Sequence, residues 1–185
     1  DVLGAIPPRE FFRPGQVDPQ GNFNNIAIGR DPQRPRLRLP GSGGIPDVSV
    51  QSHEMYMYVP RHSRAVFVPE VDWLSGLGHH PARLRGSGPR YLVSDLGQFD
   101  WAHGRMRLIS THRGVEVRRV SAKTGFDLEI APDLGETPPP SQEDIRLLRE
   151  EIDPLGVRRL ETLAGQARRD HLRAILAAEG VLDGE

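Results

Sequence analysis

The densest run of residues with chemical potential is Leu39-Pro40-Gly41-Ser42-Gly43-Gly44-Ile45-Pro46-Asp47. Three glycines in four positions leave backbone N–H groups unobstructed by Cβ atoms, and such a nest suits a carbonyl oxygen, a carboxylate or a phosphate. The sixth position of a dinucleotide fingerprint counted from Gly41 is Pro46, and no Gly-Lys-Ser/Thr follows, so neither nucleotide motif is satisfied. From the residues alone the stretch reads either as a plain tight loop or as a ligand nest. Histidines offer less. His53-Glu54 opens a zinc-protease pattern, but Met57 stands where the second histidine belongs. His79-His80 is an adjacent pair beside a Gly- and Arg-rich loop, and His103 and His112 lack a carboxylate at useful spacing. No metal site is expected. Gly-x-Ser-x-Gly is absent around Ser42, Ser75, Ser87 and Ser94. Glu54, Glu70, Asp72, Asp95 and Asp100 fall near strand candidates, and each reads first as a structural or surface charge.

These residues need a scaffold, and composition bounds it. The chain has 185 residues, 37% hydrophobic and 26% charged, which suits one packed core. Its 24 Lys+Arg against 25 Asp+Glu give a net charge of −1. That balance argues against a general nucleic-acid or membrane-surface binder. Cysteine is absent, so disulfides, thiolate metal sites and cysteine nucleophiles are excluded. No run approaches a membrane-spanning length of about 18 apolar residues, and a cytoplasmic location is expected. The basic residues are almost all arginine, Lys123 being the only lysine; a nucleotide-composition bias is the simplest account. The chain opens on Asp1 and an apolar run, Val2 to Ile6, as a strand already under way would.

The chain is rich in proline (17) and glycine (20), and both punctuate its first 46 residues, leaving short strand candidates at Phe23 to Ile28 and Leu37 to Leu39. Val48 to Val59 reads as a short helix, with Ser49 a candidate cap, running into an edge element. Strands are expected at Ala65 to Val71, Arg90 to Leu96, Met106 to Ser110 and Phe126 to Ile130, with a helix over Val115 to Ala122. Their continuous apolar runs suggest burial on both faces. Pro132 to Pro140 reads as a linker. Ser141 with Asp144 makes a capping box for a helix stopped by Pro154, and a last helix is expected over Arg158 to Glu179. An α/β domain with a C-terminal helical tail results.

Seven segments, in order, resemble the β subunits of family I CoA-transferases of the glutaconate CoA-transferase type, and the related ring-opening acyl-CoA hydrolases of actinobacterial steroid degradation. They are Gly15-Gln-Val-Asp-Pro-Gln-Gly-Asn-Phe-Asn24, Leu39 to Gly44, Arg64 to Val68, Val93-Ser-Asp-Leu-Gly-Gln-Phe-Asp100, Met106 to Val115, Thr124-Gly-Phe126, and Glu151 to Pro154. The resemblance implies an open α/β sheet of the CoA-transferase type over residues 1–154, N-terminally incomplete, with 155–185 as a helical extension. It further implies a homologous α subunit as partner, an acyl-CoA substrate and no permanently bound cofactor, CoA entering as part of the substrate. Gly41, Ser42, Gly43 and Gly44 are implied at the acyl-CoA, where N–H groups would stabilise a thioester oxyanion. The family's transferases attack the thioester with a glutamate, dividing one acyl transfer into two easier steps. Glu10, in Pro-Pro-Arg-Glu-Phe-Phe, does not match that glutamate's context, so the nucleophile segment is expected to lie outside this chain. Gln98 replaces the usual apolar residue in a turn expected to be buried. The alternative to an acyl-CoA enzyme subunit is a catalytically silent structural half that completes the partner's site. Met55 to Tyr58 and the final helix are read as either core or interface.

Overall fold

The computed structural model describes residues 8–83 and 86–181; the apolar run Val2 to Ile6 lies outside them. The chain divides into two compact units, residues 1–137 and 138–185, with the boundary ahead of Pro138-Pro139-Pro140. The domain expected over 1–154 therefore spans the first unit and the start of the second.

In the first unit the elements are β1 (Arg9–Phe12), β2 (Gln16–Val17), β3 (Phe23–Asn24), β4 (Ala27–Ile28), β5 (Leu37–Arg38), α1 (Ile45–Gln51) and β6 (Glu54–Val59). They continue with β7 (Pro89–Ser94), β8 (Gly97–Ala102), β9 (Arg105–Thr111), α2 (Val117–Lys123) and β10 (Glu129–Glu136). Six strands form one sheet in the order β1-β6-β7-β8-β9-β10. β1, β6 and β7 run parallel, β8 is antiparallel to both neighbours, and β9 pairs β10 in parallel. β2-β3 and β4-β5 are separate antiparallel ribbons.

Period-2 alternation puts Phe12, Met55, Met57, Val59, Leu92, Phe99, Met106 and Leu108 on one face, all buried in a single core with Phe23, Phe67 and Val120. Each such side chain contributes about 1.5–3 kcal/mol by leaving water. Ile45 and Val48 of α1 pack on this core. The other face is only partly covered: Phe11 stacks on Tyr56 and Tyr56 on Tyr91, while Phe11 is 69% exposed. Burial on both faces, expected from the apolar runs, is thus not what the described residues adopt. Tyr91 and Val93 are apolar without being enclosed. Met55 and Met57 are core, and Tyr56 and Tyr58 point the other way.

Several boundaries differ from the sequence reading. β6 lies inside the sheet rather than at its edge, because β1 pairs with its outer side. α1 starts four residues before Ser49, which sits in its interior and bonds back to Pro46 O at 3.1 Å. Ala65 to Val71 is not a strand: Val66 and Phe67 both donate to Ser63 O, and only Phe67 makes a bridge, to Val17. Pro69 has no N–H to extend it. β8 is an element the sequence does not announce. It returns through a two-residue turn, His103 and Gly104, at φ 51° and 74°, the primed geometry that matches strand twist. Phe126 to Leu128 precedes the last strand, which instead runs through Pro132. The proline is tolerated because β10 is the outermost strand, with a register break between Ile130 and Gly135.

In the second unit Ser141 and Asp144 form the expected capping box, opening α3 (Gln142–Arg146). The helix widens to π-type turns over Leu147–Ile152 and ends before Pro154. The single terminal helix divides into a 3-10 turn, Val157–Glu161, and α4 (Gly165–Ala178), parted where Gly165 takes φ 56°.

Candidate functional site

A cleft of about 500 Å³ opens where β1 and β6 end. Arg13, Pro14 and Gly15 follow β1 into it, and Val59, Pro60 and Arg61 close β6; Asn25, Leu39, Pro40 and Val66 complete the walls. In open α/β sheets, the carboxyl ends of parallel strands are where ligands sit. Among the described residues the lining is apolar apart from Asn25 and two guanidinium-bearing side chains, and includes no carboxylate.

A buried polar network holds the cleft walls. Asn24, fully enclosed, donates to Gln16 Oε1 and Ala27 O, both at 2.7 Å, while its Oδ1 accepts from Ile26 N at 2.8 Å. Gln16 reaches on to Asp72 Oδ2 at 3.1 Å and accepts from Asp72 N at 3.0 Å. Asn25 Oδ1 takes the Gly15 N–H at 2.7 Å, and its own N–H goes to Ser75 Oγ. At the ribbon's turn, buried Asp18 accepts from the N–H groups of Gln20 and Asn22 and from the Asn22 side chain. Burial raises its pKa, with those bonds opposing the rise. The Gly15 to Asn24 segment is therefore a ribbon-forming device beside the cleft.

The glycine loop adjoins this cleft without being enclosed by it. Leu39 and Pro40 line the wall, and Gly41 N–H donates to Asn25 O at 2.8 Å. Gly41 and Gly43 adopt φ 104° and 49°, and a Cβ on either would meet open space. The N–H groups of Ser42, Gly43 and Gly44 have no hydrogen-bond partner among the described residues. Gly41 to Gly44 therefore sit at the cleft's lip, with donors available.

The other sequence candidates fall elsewhere. Glu54 is bound by Tyr56 Oη at 2.9 Å, by Arg90 and by Arg9 at 2.8 Å. The Tyr56 bond foremost, then Arg90 and Arg9, holds its pKa below the usual carboxylate range against partial desolvation. Asp100 makes a two-point pair with Arg107 at 2.9 and 2.6 Å, and Glu70 pairs with Arg30. Asp95 accepts the His62 N–H at 2.6 Å. None of the five carboxylates lines the cleft. His53 and Met57 lie on a strand approach rather than a helix, which removes the zinc-protease pattern. His79 bonds Pro89 O at 2.8 Å; His112 bonds Thr137 Oγ1 and Ser94 O. Among the described residues no group of three His, Cys, Asp or Glu side chains is placed to hold a metal ion. No helix there is long and apolar enough to cross a membrane. Gln98 is half-buried in β8, within reach of Ser110 Oγ at 3.4 Å, so a polar residue finds a partner where an apolar one is usual.

His62 is a residue that sequence reasoning misses. It is 2% exposed, bonds Ser94 Oγ and Thr124 Oγ1 at 3.0 Å each, and stacks on Phe67 with ring centroids 3.7 Å apart. Burial drives its pKa down to about 4, Asp95 opposing and Lys123 assisting. Its position between Arg61 and Val66, both cleft residues, makes it a brace for that wall.

The mainly parallel sheet, with a cleft at its strand ends and helices after it, is an open α/β fold of the CoA-transferase type, as solved structures confirm. The crystal structure of Rhodococcus jostii RHA1 IpdAB matches at TM-score 0.75 and 31% identity, over 85% of this chain and 66% of that one. In sequence the chain is 33% identical to the IpdB component of the cholesterol ring-cleaving hydrolase of R. jostii over 165 residues, 85% of this chain and 64% of the relative. It is 34% identical to the β subunit of the glutaconate CoA-transferase of Acidaminococcus fermentans over 154 residues, 78% of this chain and 56% of the relative. No family model matches. The chain is homologous to these CoA-transferase-type β subunits over most of its own length, and spans roughly three-fifths of the length of the curated relatives it matches.

Proposed function

We propose that this chain serves as a β-type subunit of a heteromeric cytoplasmic enzyme that acts on an acyl-CoA thioester, with a homologous α-type subunit as partner. The observation that carries the reading is the cleft at the ends of β1 and β6, with the glycine loop at its lip, in a chain homologous to the β subunits of CoA-transferases and of a hydrolase. In this reading the thioester carbonyl meets the N–H groups of Ser42, Gly43 and Gly44. Donors already aimed at a developing oxyanion stabilise the transition state more than the ground state. Among the described residues the lining holds no carboxylate, so in this reading the nucleophile or general base comes from outside them. Attack by a carboxylate and then by CoA's thiolate moves CoA between acids; attack by water releases the acid and CoA–SH. CoA belongs to the substrate, and no separate cofactor is invoked.

Relatives named for glutaconate and 3-oxoadipate, both dicarboxylates, suggest an acyl group with a second carboxylate. Arg13 and Arg61, on the loops after β1 and β6, suit that end of the substrate, and arginine forms two-point bonds to carboxylate. Losing a charge-assisted bond costs about 1.5–3 kcal/mol. Arg61→Met is expected to raise KM for glutaryl-CoA about tenfold or more, and to leave butyryl-CoA, which lacks the second carboxylate, nearly unchanged. Steady-state kinetics with both substrates checks this. The overall assignment is tested by mixing the chain and its partner with glutaryl-CoA and labelled acetate. Labelled acetyl-CoA signals transfer, and glutarate with free CoA signals hydrolysis. Full activity of the partner alone would remove the role assigned to this chain.

A further inference from the structure

Arg83 is a half-buried cation with no carboxylate partner among the described residues, an uncommon state for a charge taken partly out of water. Its Nη1 donates to Leu77 O at 2.8 Å, and its Nη2 to Ser49 O at 2.5 Å with Met55 Sδ at 3.2 Å. Its Nε is enclosed and bonds nothing among the described residues. Desolvation pulls its pKa down. An isolated guanidinium held this way needs a reason, and α1 supplies one.

α1 has seven residues, no side-chain N-cap bond and no basic residue in its last turn. A helix this short is marginal by itself. The carbonyl of Ser49 would ordinarily accept from the N–H of His53, but that N–H turns away to Pro8 O. The Arg83 guanidinium takes the vacant carbonyl and puts positive charge at the helix's C-terminal end, where the backbone dipole favours it. The other end of α1 emerges directly from Gly44. The glycine loop is thereby strung between two anchors: the Gly41 N–H on Asn25 O in the cleft wall, and α1 held by Arg83.

We infer that Arg83 is a positioning residue for the Gly41–Gly44 loop: through Ser49 O it fixes α1, and through α1 the direction of the loop donors at the cleft's lip. The link to acyl-CoA rests on the function proposed above; the anchoring of α1 does not. Two variants test it in the full chain, the kinetics being done with its partner present. Arg83→Met keeps an unbranched side chain without donors, and Arg83→Lys keeps the charge with a single donor group. In Arg83→Met, hydrogen exchange of the amides in 41–51 is expected to speed up about tenfold or more while β7 to β9 keep wild-type protection. The kcat for glutaryl-CoA is expected to fall about tenfold with a smaller change in KM, and Arg83→Lys to recover part of both. Unchanged exchange over 41–51, or a rise spread evenly through the sheet, would overturn the positioning role. If exchange rises in 41–51 while kcat and KM stay at their wild-type values, Arg83 anchors α1 alone and the link to the ligand is overturned. If the wild-type complex leaves glutaryl-CoA untouched, the proposed function fails, and the exchange data decide the anchoring by themselves.

Discussion

Replacing Asn24 with alanine is expected to lower the melting temperature of the first unit by roughly 10 °C. One side chain joins β2, β3 and β4: it donates to Gln16 Oε1 and Ala27 O and accepts from Ile26 N, all fully or partly buried. Truncation leaves Ala27 O and Ile26 N without these partners in the interior and takes from Gln16 Oε1 one of its two donors, Asp72 N remaining; each orphaned group costs about 1–3 kcal/mol, for a total of about 3–5 kcal/mol after relaxation. At about 2–4 °C per kcal/mol for a unit of this size, that yields the stated shift. Because Gly15 and Asn25 flank this ribbon and line the cleft, ligand affinity should fall with stability. Calorimetry and thermal circular dichroism read the result directly. A melting curve within a degree or two of wild type would mean that the network decorates the ribbon rather than holding it.

The second large effect concerns acid. His62 is neutral when folded, with a pKa of about 4, because the Phe67 and Phe99 rings and the hydroxyls of Ser94 and Thr124 enclose it. In the unfolded chain an imidazole titrates near 6.5. Above that pH both states are neutral and the contribution to stability is complete. As pH falls below about 6.5, the unfolded chain takes up the proton first, so stability declines by up to about 1.4 kcal/mol per unit until the folded pKa is reached. The total loss is about 3 kcal/mol between pH 6.5 and 4. Asp18, whose folded pKa is raised by burial, works in the opposite sense at the acid end of this range. Comparing His62→Gln with wild type isolates the histidine. Urea titrations at several pH values should show the variant less stable near neutrality and flatter towards pH 4. Parallel curves would refute the neutral buried state.

Residue patterns announce some of this architecture and conceal the rest, for reasons that are physical. The capping box at Ser141 is local, involving atoms three residues apart, and it reads straight from sequence. The glycine loop is likewise local, since Gly41 and Gly43 occupy backbone angles that suit glycine. The Gly15 to Asn24 segment is visible as a motif, but its work is hidden, because Asn24 and Gln16 act through Ala27 and Asp72, up to 56 residues away. β8 is hidden for a related reason: Gly97 and Asp100 are poor strand formers, and pairing with β9 on one side and β7 on the other overrides their preference. Pro132 reads as the start of a linker because proline cannot join a ladder on both sides, and only the sheet order reveals that β10 has one neighbour. His62 carries no signal at all. Its partners lie 32 and 62 residues away, and a lone histidine beside Arg61 looks like a surface residue.

Whether an activated acyl group is bound at the ends of β1 and β6 is best asked with backbone amide NMR of the full chain titrated with glutaryl-CoA. The expected outcome is saturable shifts concentrated on the amides of Gly15, Asn25, Ser42, Gly43, Gly44 and Arg61, with the far ends of β6 and β7 unmoved. Shifts that gather instead around His79 and Trp101 at the opposite end of the sheet, or none at saturating ligand, would contradict the account.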